Sequence, residues 1–325
     1  MQTFPSLDEI HATHSRLAGR IRVTPVVELQ PYELTADETF DSRLVFKLEC
    51  LQLTGTFKVR GALSVLLDLS EEERECGVTA VSAGNHAVAV AYAARALGID
   101  AKIVMIKTAN PARINLARQF GAHVELADDG PTAFRRASEI QMQEGRHFVH
   151  PFEGEQVVRG TATLGVEFLQ QSPQLDAVVV SIGGGGLIAG VSAALKQMSP
   201  RTRIYGVEPV GADSMSRSFA AGHAVSLDSV ATIADSLAPP MATPYTFGVC
   251  RQFVDRIALI DDESLRSAMR ILFSDLKLAV EPAAAAALAA ALGPLRSELR
   301  GGQKVGIVVC GSNIDLNTFA ALARA

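Results

Sequence analysis

Lys58 stands in the stretch TGTFKVRGA, residues 54–62, where a strand-like run gives way to a helix-like one. A lysine amine attacks a carbonyl only after losing its proton, and a partly desolvated position beside an aromatic ring such as Phe57 favours that loss. The stretch is therefore either a solvated surface charge or a covalent attachment point. A second segment, SIGGGGLIAG at 181–190, follows an apolar run and opens a helical pattern. Its consecutive glycines leave backbone N–H groups unshielded at a helix N-terminus, which suits a phosphate dianion. The same segment satisfies a dinucleotide fingerprint at Gly184-x-Gly186-x-x-Ala189, with Glu208 where a ribose-binding acid would stand. A nicotinamide-dependent oxidoreductase is thus the rival reading, and it leaves Lys58 without a role. A third segment, SAGNHA at 82–87, offers Ser82, the backbone around Gly84 and the Asn85 amide as donors for a carboxylate or a phenolic oxygen. Cys310, at the end of an apolar run, reads by itself as core packing.

Several elements must hold these residues. Strand-like runs occur at 44–49, 78–82, 101–106, 177–182, 203–208 and 305–310, with helical patterns between them at 85–97, 111–120, 131–144 and 187–197. That alternation is the pattern of parallel βαβ units, so the fold class is α/β. The strands fall into two clusters on either side of HPFEGE at 150–155, which predicts two closely packed lobes around a cleft. Ligands of such sheets bind beyond the carboxyl ends of the strands, where all three glycine-bearing segments lie.

Composition narrows the classes further. The 325 residues are 48% hydrophobic and 20% charged, with a formal net charge of -5 and no run of Lys and Arg. Neither a nucleic acid nor a membrane surface is an expected partner. The four cysteines are scattered without a CxxC spacing, so no disulfide framework or zinc ribbon is expected. The pairs His11 with His14 and His147 with His150 lack further ligands at suitable spacing. The start MQTFPSLDEI lacks the build of a signal peptide, and a cytoplasmic protein is expected.

Together TGTFKVRGA, SAGNHA, SIGGGGLIAG and CGSNID, in this order, resemble the serine/threonine dehydratases, pyridoxal-phosphate enzymes of the tryptophan-synthase β-subunit fold (fold type II). The resemblance runs from Thr24-Pro25 to Asn313 and takes in HPF at 150–152, TIAD at 232–235 and Glu281-Pro282. It implies a large cofactor-binding domain, residues 1–49 plus 149–325, and a small substrate-binding domain, residues 50–148. Lys58 would hold pyridoxal 5'-phosphate as a Schiff base and, once freed, take the substrate's α-proton. Phe57 would pack beside the ring, Asn85 would meet the ring hydroxyl, and Cys310 would face the pyridine nitrogen. Gly183, Gly184, Gly185, Gly186 and Leu187 would cradle the phosphate. Ser82, Ala83, Gly84 and His86 would surround the substrate carboxylate. The implied reaction is loss of water from a β-hydroxy amino acid, giving a 2-oxo acid and ammonia, in a homodimer.

Departures from the family pattern sharpen the expectation. Serine racemases of this fold carry a second serine where this chain has Ala83, and alanine moves no proton, so dehydration is expected over racemisation. Metal-activated relatives bind Mg2+ or Ca2+ at positions matching Glu208, Ala212 and Ser214, where serine replaces the second acid. The common IAGQGT reads VRGTAT at 158–163, IADG reads IADS at 233–236, and Val88 replaces a usual glutamine. Arg159 reads either as a solvated helix charge or as the receptor of a second substrate carboxylate. The substrate is therefore left open between threonine, serine, 3-hydroxyaspartate and other β-substituted amino acids; an amino acid racemase of the same fold is the alternative activity, and a cofactor-binding protein without turnover is the non-catalytic alternative.

Overall fold

The computed structural model describes residues 4–34 and 39–324. Its strands, in chain order, are β1 Val26–Leu29, β2 Arg43–Lys47, β3 Val78–Val81, β4 Ala101–Ile106, β5 His123–Ala127, β6 His147–Phe148, β7 Ala177–Ser181, β8 Arg203–Pro209, β9 Arg256–Ile260 and β10 Lys304–Val308. They form a six-stranded sheet in the order β1-β2-β10-β7-β8-β9 and a four-stranded sheet in the order β5-β4-β3-β6. Only the β1–β2 pair is antiparallel. Every other pair is parallel. The α/β class and the two lobes read from the sequence are as expected.

Strands buried on both faces need helices on both sides, and their composition follows from that. β3 and β7 are buried at every residue. The helix Pro282–Leu292, almost all alanine, is buried on nearly every side among β7, β8, β9 and β10. Small side chains let it approach the sheet closely, since packing of this kind tolerates no gap. The helix Lys58–Asp68 packs on Glu155–Gln171, and a Cβ at Gly160 would stand 2.4 Å from the Arg60 carbonyl oxygen. A close crossing of the two backbones therefore requires glycine there.

Beneath the first turn of Lys58–Asp68 lies a buried ionic cluster. The Arg60 guanidinium donates to Glu49 at 2.7 and 2.9 Å and to Glu167 at 2.9 and 2.8 Å. Lys47 donates to Glu167 at 2.9 Å, to the Thr24 carbonyl at 2.8 Å and to Gln171 at 2.7 Å. Two cations thus face two carboxylates with their hydrogen-bonding capacity filled, the condition under which buried charge is tolerated.

Candidate active site

The stretch 54–58 is stitched to residues 310–313. Phe57 N–H donates to the Cys310 carbonyl at 3.2 Å, Ser312 N–H to the Gly55 carbonyl at 2.9 Å, and Asn313 Nδ2 to the Thr54 carbonyl at 2.8 Å. Thr54 and Gly55 both have positive φ, 69° and 74°. This bent entry sets the helix start so that Lys58 turns inward. A narrow pocket is lined by Phe57, Lys58, Gly61, Ala62, His86, His150, Pro151, Val157, Thr161 and Gly186. Lys58 Nζ donates to the Pro151 carbonyl at 2.6 Å and lies 5.2 Å from the Phe57 ring centroid. Burial pulls its pKa down to about 8, with Cys310 and Glu281 partly opposing that fall. His86, held by its Nε2 at 2.8 Å from the Val149 carbonyl, is driven by burial down to about 3. It is therefore a neutral imidazole donating through Nε2.

The glycine turn between β7 and the helix Gly186–Met198 presents donors. Its N-cap, Gly185 at φ 90°, has no side chain to accept from the first turn. Three successive carbonyls are drawn outward by side chains: Gly184 by Thr246 Oγ1 at 3.0 Å, Gly185 by Cys250 Sγ at 3.9 Å, and Gly186 by Thr161 Oγ1 at 2.7 Å. With the carbonyls engaged on that side, the N–H groups of the turn are left to meet an anion at the helix N-terminus. A Cβ at Gly184 would strike the Phe152 ring at 2.3 Å, so the turn tolerates no larger residue there. The donor set, the deprotonatable amine and the aromatic neighbour together fit a phosphate-bearing aldehyde.

Asn85 opens the helix Asn85–Leu97 and reaches across to the other lobe. Its Nδ2 lies 2.8 and 3.0 Å from the two Glu281 carboxylate oxygens and 3.3 Å from Ser236 Oγ, while its Oδ1 accepts from Asn313 Nδ2 at 2.8 Å. Glu281 is the N-cap of Pro282–Leu292, yet its side chain makes no cap bond and turns into the site instead. Cys310 is buried, accepts from Ser181 Oγ at 3.6 Å, and has its thiol pushed up by burial to about 12, which keeps it neutral. Ser82 Oγ accepts from Gly84 N–H at 3.0 Å, and Ala83 is exposed at the rim of the loop.

Two expectations meet a different geometry. Val157 and Thr161 line the pocket from one face of their helix, and Arg159 lies on the opposite face, where Asp68 engages it at 2.6 Å and Glu155 at 3.7 Å. It is not placed to receive a substrate carboxylate. The Glu208 carboxylate is fully buried and accepts from Met215 N–H at 2.8 Å and Ser216 N–H at 2.7 Å, capping the helix Ser214–Ala221. Burial raises its pKa to about 8, against the pull of those amides. A carboxyl so engaged is open neither to a ribose diol nor to a hard cation, and Asp213 pairs with Arg217 at 2.9 Å. Among the described residues no cluster of three or more His, Cys, Asp or Glu could hold a metal. No helix is long and apolar enough to cross a membrane, again among the described residues.

Sequence reasoning passed over Arg113, although one signal pointed to it. Asn110 caps the helix Pro111–Gln119, which puts Arg113 at the third helical position, where the helix dipole favours an acid. A cation there needs partners elsewhere. It finds Asp235 at 2.6 Å, Glu281 at 3.1 Å and the Asn313 carbonyl at 2.9 and 3.1 Å.

A buried amine of lowered pKa, set beside a glycine turn suited to an anion between two mainly parallel sheets, fits a pyridoxal-phosphate enzyme of fold type II. The family model for pyridoxal-phosphate dependent enzymes matches residues 17–311, and the chain belongs to that family. It is a lyase by this kinship. A phenylserine dehydratase from Ralstonia pickettii is 53% identical over 98% of this chain and 96% of its own length. An L-threonine ammonia-lyase from Thermotoga maritima is 39% identical over 88% of this chain and 71% of its own. The solved structure of maize serine racemase superposes with a TM-score of 0.91 at 35% identity, covering 98% of both chains.

Proposed function

We propose that the protein removes water from a β-hydroxy amino acid with an aromatic side chain, of which phenylserine is the model, releasing a 2-oxo acid and ammonia. The observation that carries this reading is the buried Lys58 amine, with its lowered pKa, in a pocket also lined by the small and apolar Gly61, Ala62 and Val157. The phenylserine dehydratase, similar over nearly the full length of both chains, supports it. Pyridoxal phosphate, when bound, supplies the electron sink for the charge left at Cα. Lys58 Nζ would carry the cofactor and, in the substrate complex, accept the Cα proton. Phe57 would flank the ring, the backbone of Gly183 to Leu187 would hold the phosphate, and Asn85 would donate to the ring hydroxyl. Cys310, a neutral thiol, would meet the ring nitrogen without favouring its protonation. Ser82 and the backbone of Gly84 to His86 would orient the carboxylate. Loss of the Cα proton and the Cβ hydroxyl removes one water, and hydrolysis of the resulting enamine returns one water as ammonia departs.

Ala83 supports elimination over racemisation, because nothing at that position carries a proton to the opposite face. With Glu208 engaged by backbone amides, the reading invokes no divalent cation. The domain division at residues 50 and 149, the homodimer and the cytoplasmic location belong to the same proposal. Its test is ammonia release from phenylserine, threonine, serine and 3-hydroxyaspartate. Phenylserine should show the highest kcat/KM, and 3-hydroxyaspartate should be poor because Arg159 is turned away. A preference for 3-hydroxyaspartate, or no release from any of the four, overturns it.

A further inference from the structure

Arg113 is the cation that joins the two lobes at the site. It comes from the lobe of the four-stranded sheet, is 7% exposed, and ends among Asp235, Glu281 and the Asn313 carbonyl. It also stands against the loop expected to hold the substrate carboxylate, since a Cβ at Gly84 would lie 2.8 Å from Arg113 Nη1. Glu281 is 1% exposed and receives the Asn85 amide, Ser236 Oγ at 3.2 Å and Arg113. A buried carboxylate with only the neutral donors Asn85 and Ser236 would favour its protonated form, and the guanidinium opposes that.

We propose that Arg113 is a positioning residue for the dehydration: by keeping Glu281 ionised and the lobes latched, it fixes the Asn85 amide with its N–H groups turned toward the ring hydroxyl position. This rests on the dehydratase reading. The chemistry is one of donors and acceptors. An ionised carboxylate accepts only, so it dictates that Asn85 presents Nδ2 and not Oδ1, and Asn313 secures the other end of the amide. Asn85 has two N–H donors and three acceptors within reach, so one N–H can serve the cofactor hydroxyl while the other stays with Glu281. A protonated Glu281 would itself become a donor, and the amide would lose its fixed sense. The charged and titratable groups facing Glu281 are Arg113, Asp235, Lys58, Cys310 and Cys50. Burial raises the Glu281 pKa, and Arg113 is the largest influence that lowers it.

The experiment uses holoenzyme of the wild type, Arg113→Gln, Arg113→Lys and the double variant Arg113→Gln with Glu281→Gln. Arg113→Gln should keep bound cofactor, lose about ten- to a hundredfold in kcat, and have the acid limb of its kcat/KM profile raised by about one to three pH units. The sign follows from linkage: activity needs ionised Glu281, and without the cation protonation completes at higher pH. Arg113→Lys should return most of the acid limb and only part of kcat, because an ammonium keeps the charge but not the fork. In the double variant the Glu281 carboxyl is gone, so the displaced limb should disappear. An Arg113→Gln profile that matches the wild type, or a displacement that survives Glu281→Gln, overturns the proposal. The pH dependence of the bound cofactor's visible absorbance reads the same titration without turnover. It separates failure of this proposal from failure of the dehydratase reading, because a protein that releases no ammonia still shows whether the absorbance titrates with Arg113 present.

Discussion

Lys58 shows how burial alone can prepare a nucleophile. Its amine loses solvent, keeps one carbonyl partner at Pro151, and has its pKa brought to about 8. Below that pH the amine of cofactor-free protein is protonated and cannot attack an aldehyde, so the rate of pyridoxal phosphate capture should rise as pH increases through about 8, read as growth of visible absorbance. Lys58→Ala should show neither that absorbance nor 2-oxo acid release, while an unchanged spectrum in the variant would remove Lys58 from the chemistry. Lys58, the glycine turn, Asn85 and Cys310 were legible in the sequence because each sits inside a short contiguous motif. Arg113 was not, because its partners Asp235 and Glu281 lie 122 and 168 positions away and only folding brings them together. Arg159 drew attention by its departure from a familiar pattern, but a change of residue type does not say which helix face it occupies.

Among the elements, the strands divided sharply by position. β2, β10, β7 and β8 inside the large sheet and β3 and β4 inside the small one were all read from their apolar runs. The strands passed over, β1, β9, β5 and β6, are the four sheet edges. An inner strand is covered on both faces and becomes continuously apolar, whereas β5 is half solvated and carries His123 and Glu125 among its five residues. The ionic cluster under Lys58–Asp68 was equally hidden, since its charged members Lys47, Glu49, Arg60 and Glu167 come from four separate elements. Arg60→Met should cost about 3–5 kcal/mol in denaturant unfolding, because it leaves the buried Glu49 carboxylate without its cation. Glu49→Gln in the Arg60→Met background should recover part of that loss if the stranded charge is the cause. At the glycine turn, Gly185→Ala forces a side chain into φ 90° and places its Cβ 2.6 Å from Met215 Cε. We expect a fall in the thermal midpoint and a larger fall in cofactor affinity than in stability, measured by fluorescence titration.

Taken as one molecule, the protein draws its proposed cofactor shell from both sheets: Asn85 from one lobe, the glycine turn and Cys310 from the other, with Lys58 at the seam. A ligand held by both should couple their unfolding. Calorimetry of holoenzyme should show one transition, and cofactor-free protein a lower and broader one; coincident transitions would mean that the lobes are coupled without the cofactor. The chain order of the large sheet has a further consequence. β10, residues 304–308, lies between β2, residues 43–47, and β7, residues 177–181. While the ribosome is still translating, the nascent chain can pair β3, β4, β5 and β6 soon after residue 148 emerges, but β2 must wait for β10, with its slot beside β7 open in the meantime. That slot is where an inappropriate strand could insert, so chaperone protection would matter most between the emergence of residue 181 and that of residue 304, before any vitamin-derived aldehyde can be captured.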